Sequence, residues 1–79
     1  MVNADLLELA IFKSKKTKKY LAEQCGISTE ALRQKINNGY DFKSTEVAIL
    51  CNELGIASLK EKEQIFFAND VYKNINKQT

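Results

Sequence analysis

The sequence predicts an all-α fold, a compact bundle of about five short helices. Three observations carry that prediction. Apolar residues recur at three- and four-residue intervals along most of the chain, as in Leu7, Ala10 and Ile11 or Val47, Leu50, Cys51 and Leu54. Thr17, Ser28, Ser44 and Ser58 stand where such stretches begin, and their short side-chain oxygens suit helix N-caps. Gly26 and Gly55 stand where stretches end, since glycine enters the left-handed conformation that closes a helix without steric cost.

With 79 residues, 44% of them hydrophobic and 28% charged, the chain has the composition of one small folded domain. That domain is expected over residues 1–70, with 71–79 as a C-terminal tail. A chain of this size buries only ~60–65% of its unfolded surface, so each large apolar side chain counts. No apolar run approaches the ~18 residues of a membrane span. The lysines near the N-terminus follow the apolar stretch instead of preceding it, the reverse of a secretory signal, and a cytoplasmic location is expected. Cys25 and Cys51 have no histidine to join them and fall within helical apolar patterns, so they read as core thiols.

The net charge of +2 conceals an asymmetry. Residues 13–43 hold eight bases against three acids, a balance of +5, while the other segments hold four bases and seven acids, a balance of −3. One part of the protein is positive, which suits a polyanion docking on one face.

Along the chain, Asn3 or Asp5 can cap a first helix running to about Lys13, with Leu7, Ala10 and Ile11 turned to the core. Leu6, Leu9 and Phe12 fall off that stripe, so this helix is either wedged between neighbours or offers surface to a partner. Residues 13–19 then hold five lysines in seven positions, usually the mark of a solvated turn. Position changes the reading. Thr17 as a cap places Lys18 and Lys19 in the first turn of the second helix, where the helix dipole disfavours a cation by ~0.3–1 kcal/mol. Lysines there make sense if a phosphate lies between them and the helix end.

The second helix, to about Cys25, turns Leu21, Ala22 and Cys25 to one side, and Gly26 ends it. Ile27 is expected as a buried anchor and Ser28 as the cap of the third helix: helix, three-residue turn, helix. At about 100° per residue, Ala31, Leu32, Lys35 and Ile36 share one side of that third helix, with Lys35 laying its stem over the surface. Thr29, Glu30, Arg33, Gln34 and Asn37 share the other, almost wholly made of hydrogen-bonding groups. Asn37, Asn38 and Gly39 stop it. Phe42 is expected in the core, and Tyr40 either lies against a sugar-phosphate backbone or covers the turn. Ser44 caps a fourth helix, from whose buried stripe Ile49 departs as an exposed apolar residue. Ser58 and Glu61 have capping-box spacing and open a fifth helix through about Phe67, in which Leu59, Ile65 and Phe66 or Phe67 close the core. Beyond Asn69 a helical stripe of Ala68, Val71, Tyr72 and Ile75 competes with a two-residue alternation, leaving a disordered tail or a dimerisation arm.

The run T-x-x-x-L-A-x-x-x-G-I-S-x-x-x-L-x-x-x-I-N, present as Thr17, Leu21, Ala22, Gly26, Ile27, Ser28, Leu32, Ile36 and Asn37, resembles the Cro/C-repressor type of helix-turn-helix, the Xre family. With the continuation NGYDF, VAILCNELGI and IFFAND, the resemblance covers about residues 7–70 and is similar to small phage or prophage repressors of Gram-positive bacteria. It implies a lambda-repressor-like bundle and transcriptional control in a prophage switch. Two departures stand out. Family members commonly have glutamine where this chain has Lys18, and often glycine and a hydrophobe where it has Lys15 and Lys16.

The expected function is therefore sequence-specific binding of duplex operator DNA, with helix 28–38 in the major groove. Thr29, Glu30, Arg33 and Gln34 would meet base edges: Arg33 suits guanine, Gln34 adenine, Thr29 a thymine methyl, and Glu30 a cytosine amino group unless it merely steadies its helix dipole. Lys15, Lys16, Lys18, Lys19, Ser28, Asn37, Tyr40, Lys43 and Ser44 would grip the DNA backbone. A homodimer would use Leu9, Phe12, Ile49 or the tail, and the shortness of the chain favours a Cro-like regulator. The alternative is an anti-repressor or modulator that binds a second repressor protein and has little DNA affinity alone. No cofactor or metal is expected. Without histidine, paired acids, a glycine-rich phosphate loop or a metal-ligand cluster, enzymatic chemistry has no groups to use.

Overall fold

A computed structural model of the chain describes residues 2–38 and 40–67. Within them the fold is all-helical: α1 (Ala4–Ser14), α2 (Lys18–Cys25), α3 (Thr29–Asn37), α4 (Ser44–Leu54) and α5 (Leu59–Phe66). Gly39 and the expectations placed on the tail, 71–79, lie outside the described residues.

Local chemistry sets most of the boundaries. The side chains of Asn3, Thr17, Ser28 and Ser58 accept from the N–H groups of Leu6, Tyr20, Ala31 and Glu61, each satisfying a donor that the helix itself cannot. Gly26 and Gly55 take the left-handed conformation at φ 73° and 72° and end α2 and α4. Lys15 ends α1 in the same conformation at φ 63°, the one described residue other than glycine to do so. There a Cβ crowds the following carbonyl. The fourth helix departs from expectation: its N-cap is Lys43, not Ser44, which is the first helical residue. Lysine has no acceptor to offer, and the Glu46 carboxylate instead takes the Lys43 N–H at 2.9 Å.

Every helix contributes to one core. Leu7, Leu21, Leu32, Ile36 and Leu50 are fully enclosed, and Val2, Ile11, Ala22, Phe42, Val47, Ile56, Ile65 and Phe66 complete the buried set. α2 packs on α3 and α4, while α1 spans the bundle against α3, α4 and α5. The Asn3 N–H donates to the Ile65 carbonyl at 2.7 Å and pins the start of α1 to the end of α5. Phe42 and Phe66 meet edge to face with centroids 5.7 Å apart, which fixes the 40–43 segment against α5.

Three core expectations are corrected. Leu59 does not close the core but stands 67% exposed, because one turn later Lys62 and Glu63 occupy the half-covered positions and the inward face of α5 begins only with Ile65. Ile27 is half-buried, since it sits in the turn at the margin between α2 and α3. Ile49 is half-buried, not exposed. No described helix is long and apolar enough to cross a membrane.

Candidate nucleic-acid interface

α2 and α3 are held at a fixed approach by what lies between them. Leu21 and Ala22 face Leu32 and Ile36 across the core, all at most 1% exposed, and the small Ala22 leaves room for close approach. The intervening turn is tied down by N–H groups of Gly26 and Ile27 donating to the carbonyls of Glu23 and Ala22 at 3.1 and 3.0 Å. A Cβ at Gly26 would meet nothing within 4 Å, so the demand for glycine there comes from φ alone.

With Leu32 and Ile36 buried, the outer side of α3 is necessarily presented to solvent. Glu30, Arg33, Gln34 and Asn37 are exposed there, Thr29 is half-buried beside its cap Ser28, and Ala31 and Lys35 are half-covered on the flanks. The exposed groups form a linked row. Gln34 donates through Nε2 to Glu30 Oε2 at 2.9 Å, Asn38 Nδ2 donates to Gln34 Oε1, and Arg33 lies 3.8 Å from Glu30 Oε1. The row orients the amide of Gln34 and includes Asn38, whose place in the sequence suggests only a helix stop.

The structure divides the lysine run into three kinds of site. Lys16 reaches the last turn of α4, where its Nζ donates to the Glu53 carbonyl at 2.7 Å and to Glu53 Oε1 at 2.9 Å, a cation placed at the favourable end of a helix dipole. The Tyr20 hydroxyl donates to the same carboxylate at 3.1 Å. That hydrogen bond, assisted by the charge of Glu53, pushes the Tyr20 phenol above its ordinary value, while the bonds from Lys16 and Tyr20 hold the Glu53 carboxyl down. Lys18 bridges to Glu8 of α1 at 2.9 Å, which offsets its unfavourable place at the start of α2. Lys15 and Lys19 are exposed and make no ion pair with a described residue.

Lys16 is thereby set apart from the other end of α4. Glu53 lies nine residues after Ser44, about 14 Å along the helix. Lys43 and Ser44 are exposed at the start of α4, close after the exposed Tyr40. That end is joined to α3 by a buried clamp: Lys35 Nζ meets Glu46 Oε1 at 2.9 Å and lies 5.5 Å from the centre of the Phe42 ring. Glu46 is 3% exposed. Burial alone pushes its carboxyl up, but the bonds from Lys35 and the Lys43 N–H and the two lysine charges outweigh it and hold the carboxyl below its ordinary value. Lys35 therefore does not simply lay its stem over the surface, as its place in the sequence suggested. The signal for this clamp was available in principle: Glu46 stands three residues after Lys43, the spacing of a capping acid, on the face of α4 that carries Val47 and Leu50.

Cys25 and Cys51 are free thiols, half-buried against the core, and burial pushes both up. No group of three or more metal-ligating side chains occurs among the described residues. Compared with known proteins, the chain matches no family model, no curated protein and no solved structure.

Proposed function

We propose that the protein is a sequence-specific duplex-DNA-binding regulator of transcription that reads the major groove with α3, a Cro-like repressor in the sense its sequence resemblance implies. The observation that carries this reading is the outer side of α3: a contiguous, exposed row of hydrogen-bonding side chains on a helix whose other side is locked into the core. A helix of this diameter fits the major groove, and the row has the donor and acceptor variety that base edges require.

In this mechanism Arg33 donates to a guanine and Gln34 pairs with an adenine. Both first exchange a bond with Glu30 for one with a base, so Glu30 holds them ready in the free protein. Lys15 and Lys19 meet phosphates before α3, and Lys43, Ser44 and Tyr40 meet them beyond it. Lys18 joins them by leaving Glu8. Lys16 contributes to this surface by fixing α4 rather than by touching DNA.

A binding-site selection from random duplexes, followed by titration at several salt concentrations, tests the reading. The wild type should enrich one sequence. Arg33→Ala and Gln34→Ala should each relax preference at one base by about 1–3 kcal/mol, whereas Lys19→Ala should weaken all sequences alike and lower the salt slope by about one. Equal binding of selected and random duplex at moderate salt would overturn it.

One observation favours a second reading, a modulator that binds another repressor: Phe12 is 80% exposed and Leu9 46% on the outer side of α1. The same two residues would serve a homodimer. On the modulator reading the protein alone leaves every duplex unshifted in a gel until the partner repressor is added.

A further inference from the structure

α4 binds two other segments of the chain through carboxylates on one of its sides. Glu46 and Glu53 stand seven residues apart, about 10 Å along the axis and within ~20° of each other around it. Each takes a lysine from elsewhere in the fold. Glu46 holds Lys35, near the end of α3, at 2.9 Å, and Glu53 holds Lys16, from the turn between α1 and α2, at the same distance. Their side chains are 5% and 17% exposed, against 42% and 66% for Glu8 and Glu30, so these two acids are the ones seated within the structure.

Both junctions are reinforced. At the start of α4, Glu46 also takes the Lys43 N–H, and the Lys35 ammonium lies 5.5 Å from the centre of the Phe42 ring, so residues 42–43 are tied to α3. In the last turn of α4, the Tyr20 hydroxyl joins Lys16 on Glu53, and the Lys16 ammonium donates to the Glu53 carbonyl and stands 5.8 Å from the centre of the Tyr20 ring. Lys16 and Tyr20 are thereby held by α4, and the exposed Lys15 and Lys19 are their immediate neighbours in the chain. Lys15 and Lys19 on one side of α3, and Tyr40, Lys43 and Ser44 on the other, are thus anchored to opposite ends of one helix.

We propose that α4 is the spacer that sets the separation of these two groups, with Glu53 and Glu46 as positioning residues that act through Lys16 and Lys35. The inference rests on the DNA-binding reading. Phosphates stand at fixed intervals along a duplex, and two grips held at the matching separation bind without first having to be ordered. The sign of the effect is diagnostic. An acid near DNA that acts only through its charge repels it, so its removal strengthens binding; removal of an acid that anchors the spacer weakens it.

The test compares Glu53→Ala with Glu23→Ala, which removes an exposed acid of α2 that holds no lysine among the described residues. In titrations of one selected duplex at fixed, moderate salt, Glu53→Ala should weaken binding about three- to tenfold, the cost of ordering one or two freed lysines on the DNA, while Glu23→Ala should bind equally or more tightly. Glu53→Gln, which keeps an acceptor for Lys16 and Tyr20, should recover part of the loss, and base preference at Arg33 and Gln34 should not change in either variant. Backbone nitrogen relaxation of the free Glu53→Ala protein should show added motion over residues 15–19 with α3 unaltered. Should Glu53→Ala fail to fold, Glu53→Gln against Glu23→Gln makes the same comparison with a smaller loss. Binding by the Glu53 variants as tight as wild type or tighter, or residues 15–19 no more mobile, would overturn the spacer and leave the DNA-binding reading standing. A wild type that shifts no duplex would overturn both.

Discussion

Two lysine–glutamate pairs, each at 2.9 Å, flank the α2–α3 unit, and their surroundings give them opposite roles. Lys35 and Glu46 have 19% and 5% of their side chains exposed; Lys18 and Glu8 have 32% and 42%. The buried pair joins α3 to the start of α4 and also holds the Lys43 N–H. Water has little access to the Glu46 carboxylate there, so the pair behaves as a clamp. The more accessible, half-buried pair joins α2 to α1, where water and salt compete with it, so the ammonium of Lys18 can be surrendered to a stronger anion. Geometry is shared; burial decides which lysine is structural and which is available.

The comparison breaks most visibly at Glu46. Glu46→Ala leaves the Lys35 ammonium partly buried without its carboxylate and the Lys43 N–H without its acceptor, and should cost about 2–4 kcal/mol in urea denaturation. For a domain whose whole stability is of order 5 kcal/mol, that approaches unfolding. The acid limb supplies a milder form of the same experiment. Because the folded-state carboxyl of Glu46 is held below 4.5, its contribution is present above that value and is lost as pH falls from there through the folded value. Glu46→Gln should therefore flatten the decline in stability below about pH 4.5. Glu53 is shifted in the same direction, so some acid slope should persist.

That clamp also marks the limit of what the sequence disclosed. The five helices were legible because caps and left-handed glycines are local devices: Thr17, Ser28, Ser58, Gly26 and Gly55 act on amides within a few residues. The outer row of α3 was legible because it is the complement of a buried stripe. The lysines were not separable by pattern, since Lys16 and Lys18 are distinguished by Glu53 and Glu8, which lie 37 and 10 residues away. Leu59 was misplaced because its position follows the α5 period but precedes the turn at which that helix meets the core. Val2 lies before the first helix, outside any helical period, and its burial goes with the long-range bond from Asn3 to Ile65, which no local pattern announces.

Lys15 sharpens the contrast from a third direction, as a lysine held by neither burial nor, among the described residues, a carboxylate. Its φ of 63° is strained for any residue with a Cβ, and the family it resembles often has glycine there. Lys15→Gly should stabilise the fold by about 0.5–1 kcal/mol, the relief of strain being partly offset by the greater freedom of glycine in the unfolded chain. DNA affinity should fall at the same time, with a salt slope lower by about one. A variant that gains stability and loses affinity would place the value of Lys15 in its charge alone; unchanged affinity would remove it from the phosphate contacts.

The smallest change in stability belongs to Glu8→Gln, and it discriminates most finely between the two pairs. The substitution preserves volume and a hydrogen-bonding oxygen while removing the charge that holds Lys18. A solvent-accessible pair of this kind contributes about 0–1 kcal/mol, so the urea midpoint should move little, in contrast to Glu46→Ala. If Lys18 is surrendered to phosphate, the wild-type protein must break its bridge to Glu8 before the lysine contacts DNA, and removing an acid near the interface also lessens repulsion. Glu8→Gln should then bind every duplex more tightly, by a factor of a few, without altering which sequence is preferred. A loss of affinity would mean that Glu8 aims Lys18 at the phosphate rather than withholding it. An unchanged affinity, combined with an unchanged midpoint, would mean that Lys18 meets neither partner strongly enough to matter and that the positive approach to α3 rests on Lys15 and Lys19.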